Sequence, residues 1–186
     1  DYSSDTSTAA VKGPLASARY GHGATGNSNY GYIAGGYPEN VTGTTIQRID
    51  YASDTGTTSP KGTMSKSKYK TCATGNGDYG YIAGGREQHD PGQTDFSSSS
   101  TVERIDFSND TAAAAPKGPL AIANRESGGI SSKMNGLPNS PIGDRVYGTP
   151  VPTTGPLGPA YGYAVGGLSH SLYQRVDYSN DTATAT

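Results

Sequence analysis

The sequence predicts an all-β chain of short antiparallel strands arranged in four-stranded sheets, on three observations. The first is repetition. Asp1-Tyr2-Ser3-Ser4-Asp5-Thr6 returns as Asp50-Tyr51-Ala52-Ser53-Asp54-Thr55, as Asp106-Phe107-Ser108-Asn109-Asp110-Thr111 and as Asp177-Tyr178-Ser179-Asn180-Asp181-Thr182. Periods of several tens of residues are the mark of serial architectures. The second is the recurrence of 27 glycines and 12 prolines, which leaves no long helical face. The third is the apolar inventory: Leu, Ile, Val and Phe make up only roughly an eighth of the chain, while 14 tyrosines stand in for them. A tyrosine ring buries a large area while its hydroxyl finds a partner.

Each element of the repeat follows from local chemistry. Tyr30-Gly31-Tyr32-Ile33-Ala34 is short and aromatic and is stopped by Gly35-Gly36, which reads as a strand. Gly26-Asn27-Ser28-Asn29 and Gly75-Asn76-Gly77-Asp78 are turn sequences, because Gly and Asn tolerate positive φ. They join residues 19–25 and 68–74 into hairpins with the Tyr-Gly-Tyr strands. Residues 45–51 form a third strand. Ala52-Ser53-Asp54 turns it, with the Asp50 carboxylate placed to bond backbone N–H groups, and residues 55–59 are expected as the fourth strand.

The frame is constant and the connections vary. Lys12-Gly13, Lys61-Gly62 and Lys117-Gly118 each follow the Asp-Tyr or Asp-Phe start by the same interval. Double glycines recur at Gly35-Gly36, Gly84-Gly85 and Gly166-Gly167. The segments ending Arg48-Ile49-Asp50, Arg104-Ile105-Asp106 and Arg175-Val176-Asp177 close each repeat. This divides the chain into residues 1–49, 50–105, 106–176 and the start of a fourth repeat at 177–186. The third repeat carries an insertion at about 126–159. Residues 37–44 and 86–100 lie between the second and third strands, whereas the insertion lies between the first and second and so should leave the opposite edge. Four short strands at this period match the arithmetic of a β-propeller blade. Three blades are fewer than the four to eight that close a ring, so an incomplete ring or part of a longer array is expected.

Composition narrows the function classes. No apolar stretch is long enough for a membrane span. The single Cys72 cannot form an internal disulfide, and a net charge of −2 lacks the basic surplus of a nucleic-acid binder.

In this order, Pro14-Leu15-Ala16-Ser17-Ala18-Arg19-Tyr20-Gly21-His22-Gly23, Tyr32-Ile33-Ala34-Gly35-Gly36 and Arg48-Ile49-Asp50 resemble the kelch repeats. That resemblance implies propeller blades with an Arg-containing first strand. The chain departs from it in two ways. The Trp expected in the fourth strand is replaced by Thr or Ala near Thr57, Ala113 and Thr184, and Asn124 stands at the Arg19 position with Arg125 shifted by one. Packing between blades should then rest on Tyr and small residues. The Asp-Tyr-Ser-Asn-Asp-Thr and Ala-Thr-Gly-Asn wording also resembles structural repeat proteins of marine bacteriophages. This implies a virion or extracellular location, in a tail fibre or surface appendage.

Each chemical candidate has a plainer reading beside it. Gly21-His22-Gly23-Ala24-Thr25-Gly26 fits a dinucleotide fingerprint, but a turn and a strand follow it where a helix is required. His22, His89 and His170 fall at different places in the repeat without metal-ligand spacing. A copper enzyme on a kelch scaffold, which the resemblance brings in, is thus the least favoured function. The Asp-x-x-x-Asp-Thr element offers oxygens for Ca²⁺, with self-capped turns preferred. Lys66, Lys68 and Lys70 alternate on one strand face, suiting phosphate or an acidic glycan, with a solvated edge preferred. No cofactor, metal or catalytic residue is expected.

The expected function is a non-enzymatic structural or attachment module whose partners are copies of itself, other virion proteins or a host-surface glycan. A cellular adhesin or filament subunit is the alternative. Recognition is expected in loops on a rigid frame, with Tyr37, Arg86, His89, Arg125, Arg145, Tyr147 and Tyr161 as candidates.

Overall fold

A computed structural model describes residue 6 and residues 8–88, 96–131, 161–168 and 171–186. In chain order, β1 (Gly23–Gly26), β2 (Tyr30–Ala34), β3 (Thr45–Asp50) and β4 (Ser59–Thr63) form an antiparallel sheet in the order β1-β2-β3-β4. β5 (Lys68–Tyr69) leads to β6 (Cys72–Gly75) and β7 (Tyr79–Ala83). β8 (Arg86–Gln88) and β9 (Phe96–Ser98) follow, then β10 (Val102–Asp106) and β11 (Ala115–Lys117). The second four-stranded sheet is β6-β7-β10-β11, and β5-β8-β9 make a small sheet beside it. β12 (Gly128–Ser131), β13 (Tyr161–Val165) and β14 (Tyr173–Asp177) form the third sheet. There Arg175 exchanges both backbone hydrogen bonds with Thr186, at 2.6 and 3.1 Å. Thr186 therefore stands where Ser59 faces Arg48 and Ala115 faces Arg104.

The register repeats residue for residue. Tyr30 faces Asp50, Tyr79 faces Asp106 and Tyr161 faces Asp177; two residues on, Tyr32, Tyr81 and Tyr163 face Arg48, Arg104 and Arg175. The tight β1–β2 and β6–β7 turns form because Asn27 and Asn76 accept the backbone N–H groups of the residues two and three ahead, at 2.9 to 3.0 Å. Asp50, Asp106 and Asp177 accept the N–H of Ala52, Ser108 and Ser179 at 2.9 Å, capping a short turn after each third strand as expected.

Two slabs of core lie between the sheets. Tyr32, Ala34, Ile46 and Met64 meet Ile82, Ile105 and Ala114; Cys72, Tyr81, Ala83, Val102 and Leu120 meet Ala164, Val176, Tyr178 and Ala185. Side chains alternate along a strand, so β7 sends Ile82 one way and Tyr81 and Ala83 the other, and the second sheet is buried on both faces. First strands lie next to first strands: Thr25 Oγ1 donates to Thr74 O at 3.1 Å, and Thr74 Oγ1 donates to Ile130 O at 2.8 Å. A Cβ on Gly129 would overlap the Ala73 carbonyl, which is how closely β12 approaches β6.

The fourth strand begins later than expected, at Ser59. Gly56 N is held by Ser53 O in the turn, and Thr58 is drawn toward its neighbours, its N–H to Pro14 O at 3.1 Å and its hydroxyl to Gln47 Oε1 at 2.7 Å. Pro60 and Pro116 sit in the outer strands β4 and β11, where a missing N–H is tolerated. The hairpins are also shorter than expected. They start at Gly23 and Cys72, because Tyr20 pairs with Tyr37 and Lys68–Tyr69 pairs with β8.

Candidate functional site

The junctions between sheets use one constellation twice. Tyr32 Oη donates to Asp110 Oδ2 at 2.9 Å and Arg48 reaches the same oxygen at 2.8 Å, while Lys61 Nζ lies 3.5 Å from Oδ1. One sheet further on, Tyr81 and Arg104 meet Asp181 Oδ2 at 3.0 and 2.7 Å, and Lys117 meets Oδ1 at 3.2 Å. Above each carboxylate the aromatic of the Asp-Phe or Asp-Tyr start stacks on the tyrosine: Tyr32 on Phe107 at 4.7 Å and Tyr81 on Tyr178 at 4.8 Å. These stacks and small residues such as Ala114 and Ala185 fill the junctions. Burial, reinforced by the facing aspartate, raises both phenols above their ordinary range.

The lysine-glycine pair has a backbone reason. Gly62 N donates to Asp110 O at 2.8 Å and Gly118 N to Asp181 O at 2.7 Å. A Cβ at Gly62 would overlap the Ala112 carbonyl, and one at Gly118 would overlap that of Ala183. In the Asp-x-x-x-Asp-Thr element the first carboxylate thus caps its own turn, while the second, at Asp110 and Asp181, faces cations and a tyrosine of the neighbouring sheet.

The opposite edge is organised by the double glycines. Gly35, Gly84 and Gly166 have φ of 69°, 62° and 65°, and Gly36, Gly85 and Gly167 lie at 119°, 100° and 127°, backbone that L side chains rarely adopt. Gly36 N and Gly85 N donate to the carbonyls of Lys68 and Asn124 at 2.9 and 2.8 Å. Arg19, Lys68 and Asn124 occupy one position in three repeats, with three chemistries. Arg19 Nη1 donates to Gly35 O at 2.9 Å, Asn124 Nδ2 donates to Gly166 O, and Lys68 Nζ meets Glu103 Oε2 at 2.7 Å and Thr101 Oγ1 at 2.5 Å.

That placement corrects the reading of Lys66, Lys68 and Lys70 as one solvated or phosphate-binding face. Lys68 is fully buried against Glu103, while Lys66 turns toward Glu87 at 3.9 Å and Lys70 pairs with Glu126. Lys70 adopts φ of 57°, which breaks the strand alternation the reading relied on.

The recognition candidates separate. Tyr37 and Arg86 come together at the double-glycine edge: Tyr37 lies 5.0 Å from Tyr20 and 5.7 Å from Tyr69, whose hydroxyl accepts from Arg86 Nη1 at 2.8 Å. Tyr20 is 58% exposed and Tyr37 37%. Arg125 belongs to the same edge, where its carbonyl accepts from Leu168 N at 3.0 Å. Tyr161 is on the other edge, under Arg175 at 4.4 Å, just as Tyr30 lies under Arg48 and Tyr79 under Arg104. His89, Arg145 and Tyr147 lie outside the described residues, as does the insertion from residue 132 to 160. Its flanks, Ser131 and Tyr161, are at the edge of the β1–β2 and β6–β7 turns, away from the β2–β3 loop. At this edge a cleft of about 390 Å³ opens between the Asn27–Tyr30 and Gly77–Tyr79 turns and Asp106–Ser108.

Gly21–Gly26 enters β1 and a turn, with no helix to receive a pyrophosphate. Cys72 is buried, donates to Ala83 O at 3.4 Å, and has its thiol pushed up to about 11 by burial. His22 is depressed, first by burial and then by Arg19.

Sequence reasoning missed Tyr32, Tyr81, Lys61, Lys117, Asp110 and Asp181 as one constellation, and Tyr20 and Tyr69 as neighbours of Tyr37. The signal was present: Tyr32, Tyr81 and Tyr163 each stand three residues before a double glycine. No family model matches the chain, and no curated protein matches it either.

Proposed function

We propose that the chain is a non-enzymatic attachment module of a virion appendage, its sheets serving as blades of a kelch-like β-propeller and its variable loops engaging a host-surface glycan. The observation that carries this reading is the exposed Tyr20–Tyr37 pair, backed by Tyr69 and Arg86, at the edge from which the variable β2–β3 connection emerges. Tyrosine offers an apolar face and a polar tip on a stiff side chain, which suits the alternating C–H and O–H surfaces of a sugar. The frame beneath is tied sheet to sheet by buried carboxylates. Asp110, Asp181 and Glu103 all face cations inside the protein. The virion assignment rests on the resemblance of the repeat wording to phage structural proteins.

A glycan array probed with the intact chain tests the proposal. Tyr20→Ala combined with Tyr37→Ala should lower binding at least tenfold while thermal unfolding stays near that of the parent. Deletion of residues 135–156, whose flanks Ser131 and Tyr161 lie at the opposite edge, separates the two candidate surfaces. Full retention of binding in the tyrosine variant would overturn the assignment of the ridge, and an array with no bound glycan would overturn glycan attachment.

A further inference from the structure

Each sheet carries one backbone-paired couple of residues at its double-glycine edge, at equivalent positions. Tyr20, Tyr69 and Arg125 come directly after Arg19, Lys68 and Asn124, and Tyr37, Arg86 and Leu168 directly after the double glycines. Tyr20 and Tyr37 exchange backbone hydrogen bonds at 3.2 and 2.9 Å, Tyr69 faces Arg86 in the β5–β8 register, and Leu168 N donates to Arg125 O at 3.0 Å. The bonds from Gly36 N to Lys68 O and from Gly85 N to Asn124 O, at 2.9 and 2.8 Å, set these couples side by side from sheet to sheet. Across the first boundary the Tyr37 and Tyr69 rings lie 5.7 Å apart. The strip so formed changes character along its length, from paired tyrosines through Tyr69 and Arg86 to Arg125.

Charges along the strip do not balance. Two carboxylates of the described residues lie beside it, and both are engaged. Glu87 accepts from Ser99 Oγ at 2.8 Å and lies 3.9 Å from Lys66, while Glu126 pairs with Lys70. Glu126 is held below the usual carboxylate range, first by the hydrogen bond from Lys70 and then by the charges of Lys70, Arg125 and Arg86, so the two arginines share one electrostatic neighbourhood. Among the described residues no carboxylate lies in ion-pair range of Arg125, nor of Arg19 beside Tyr20. For Arg19 the cause is in its own sheet, where Gln47 stands at the position from which Glu103 neutralises Lys68. The surplus is local, since the whole chain has a net charge of −2.

We propose that the ridge takes an acidic glycan chain, with sugar rings on Tyr20 and Tyr37 and carboxylate or sulfate groups at Arg86 and Arg125. The inference rests on the reading of the ridge as a glycan-binding surface and names the class of glycan. A row of couples, one to a sheet, matches a ligand of several units better than a single sugar. Tyrosines stack on sugar rings whatever their charge, so the arginine end sets the preference. A guanidinium offers paired N–H groups to the oxygens of an anion, and such charge-assisted bonds are the stronger ones.

Binding of the intact chain to two pairs of polymers tests this: dextran sulfate against dextran, and polygalacturonate against its methyl ester. At least one acidic polymer should bind at least tenfold more tightly than its uncharged counterpart, and which one does so tells sulfate from carboxylate. Raising the salt to about 0.5 M should remove most of that preference, because screening shortens the reach of exposed charges. Arg125→Gln should weaken acid binding at least fivefold, and Arg125→Glu more. Because Arg125 is held through its backbone, its N–H donating to Asn124 Oδ1 at 2.9 Å and its carbonyl accepting from Leu168, both variants should unfold thermally near the parent. Lys12→Gln, on the aspartate side of the sheets, should leave binding unchanged. Equal binding within each pair of polymers, full acid binding by Arg125→Gln, or an equal loss in Lys12→Gln would each overturn the proposal. The glycan array keeps the two readings apart. Neutral glycans bound in place of acidic ones would overturn the acidic class and leave attachment standing, whereas an array with no bound glycan would remove both.

Discussion

The two sides of each sheet-to-sheet junction obey different rules. At one side Tyr32, Arg48 and Lys61 around Asp110 recur as Tyr81, Arg104 and Lys117 around Asp181, group for group. At the other, one position holds Arg19, Lys68 and Asn124 in turn. A carboxylate set among three donors is a fixed charge pattern, and replacing any member leaves another unpaired. The double-glycine edge presents backbone carbonyls, which ask only for a donor of some kind. Arg19 and Asn124 are such donors, whereas Lys68 meets Thr101 and Glu103, which stands at the position of the uncharged Gln47.

The sharpest way to probe this difference is the buried pair. Lys68→Met alone should lower stability in urea by about 3–5 kcal/mol, because Glu103 is left charged and buried. Adding Glu103→Leu should recover most of that, since two apolar side chains of similar volume replace a desolvated pair. A double variant as unstable as the single would show that the edge is more demanding than its varied chemistry implies.

The next effect compares equivalent aspartates in different surroundings. Asp110→Ala strands Arg48, Lys61 and the Tyr32 hydroxyl, and should cost about 2–4 kcal/mol. Asp54→Ala loses one exposed ion pair, and should cost the isolated chain less than about 1 kcal/mol. Equal losses in urea unfolding would erase the distinction between inner and outer junctions.

A smaller effect is expected in alkali. Tyr32 and Tyr81 are raised in the folded state above the unfolded phenol value of about 10. Their contribution to stability is thus complete below that pH and is lost as pH rises toward the folded values. In a phenolate absorbance titration the two should ionise only together with loss of the folded circular dichroism signal. Reversible ionisation of all tyrosines with the fold intact would contradict their burial.

Much of the scaffold was legible because its causes are local. Gly35-Gly36 marks a positive-φ corner, Tyr-Gly-Tyr a strand, and Asp50 a cap that bonds two residues ahead, each within a few residues of its partner. What sequence reading missed depends on groups in the next repeat. Lys61-Gly62 stands out in the sequence as a repeated pair, but its reason is the backbone of residues 110–112. β4 starts later than its sequence predicts because Thr58 is claimed by Gln47 and Pro14. In the sequence Lys68 reads with Lys66 and Lys70, because its partner Glu103 is distant and nothing near it announces the pairing. The candidate ridge was half visible. Their loops mark Tyr37 and Arg86, while Tyr20 and Tyr69 read in the sequence as parts of hairpin strands.

The central claim is that consecutive repeats bury one another through the aspartate constellation. A double-mutant cycle on Arg48→Ala and Asp110→Ala, read by urea unfolding, tests it most directly, since the residues are 62 positions apart in the chain. Serial stacking requires a coupling of about 1–3 kcal/mol between them. Losses that simply add, with coupling below about 0.3 kcal/mol, would mean that the two side chains do not meet and that the sheets are not joined in this way.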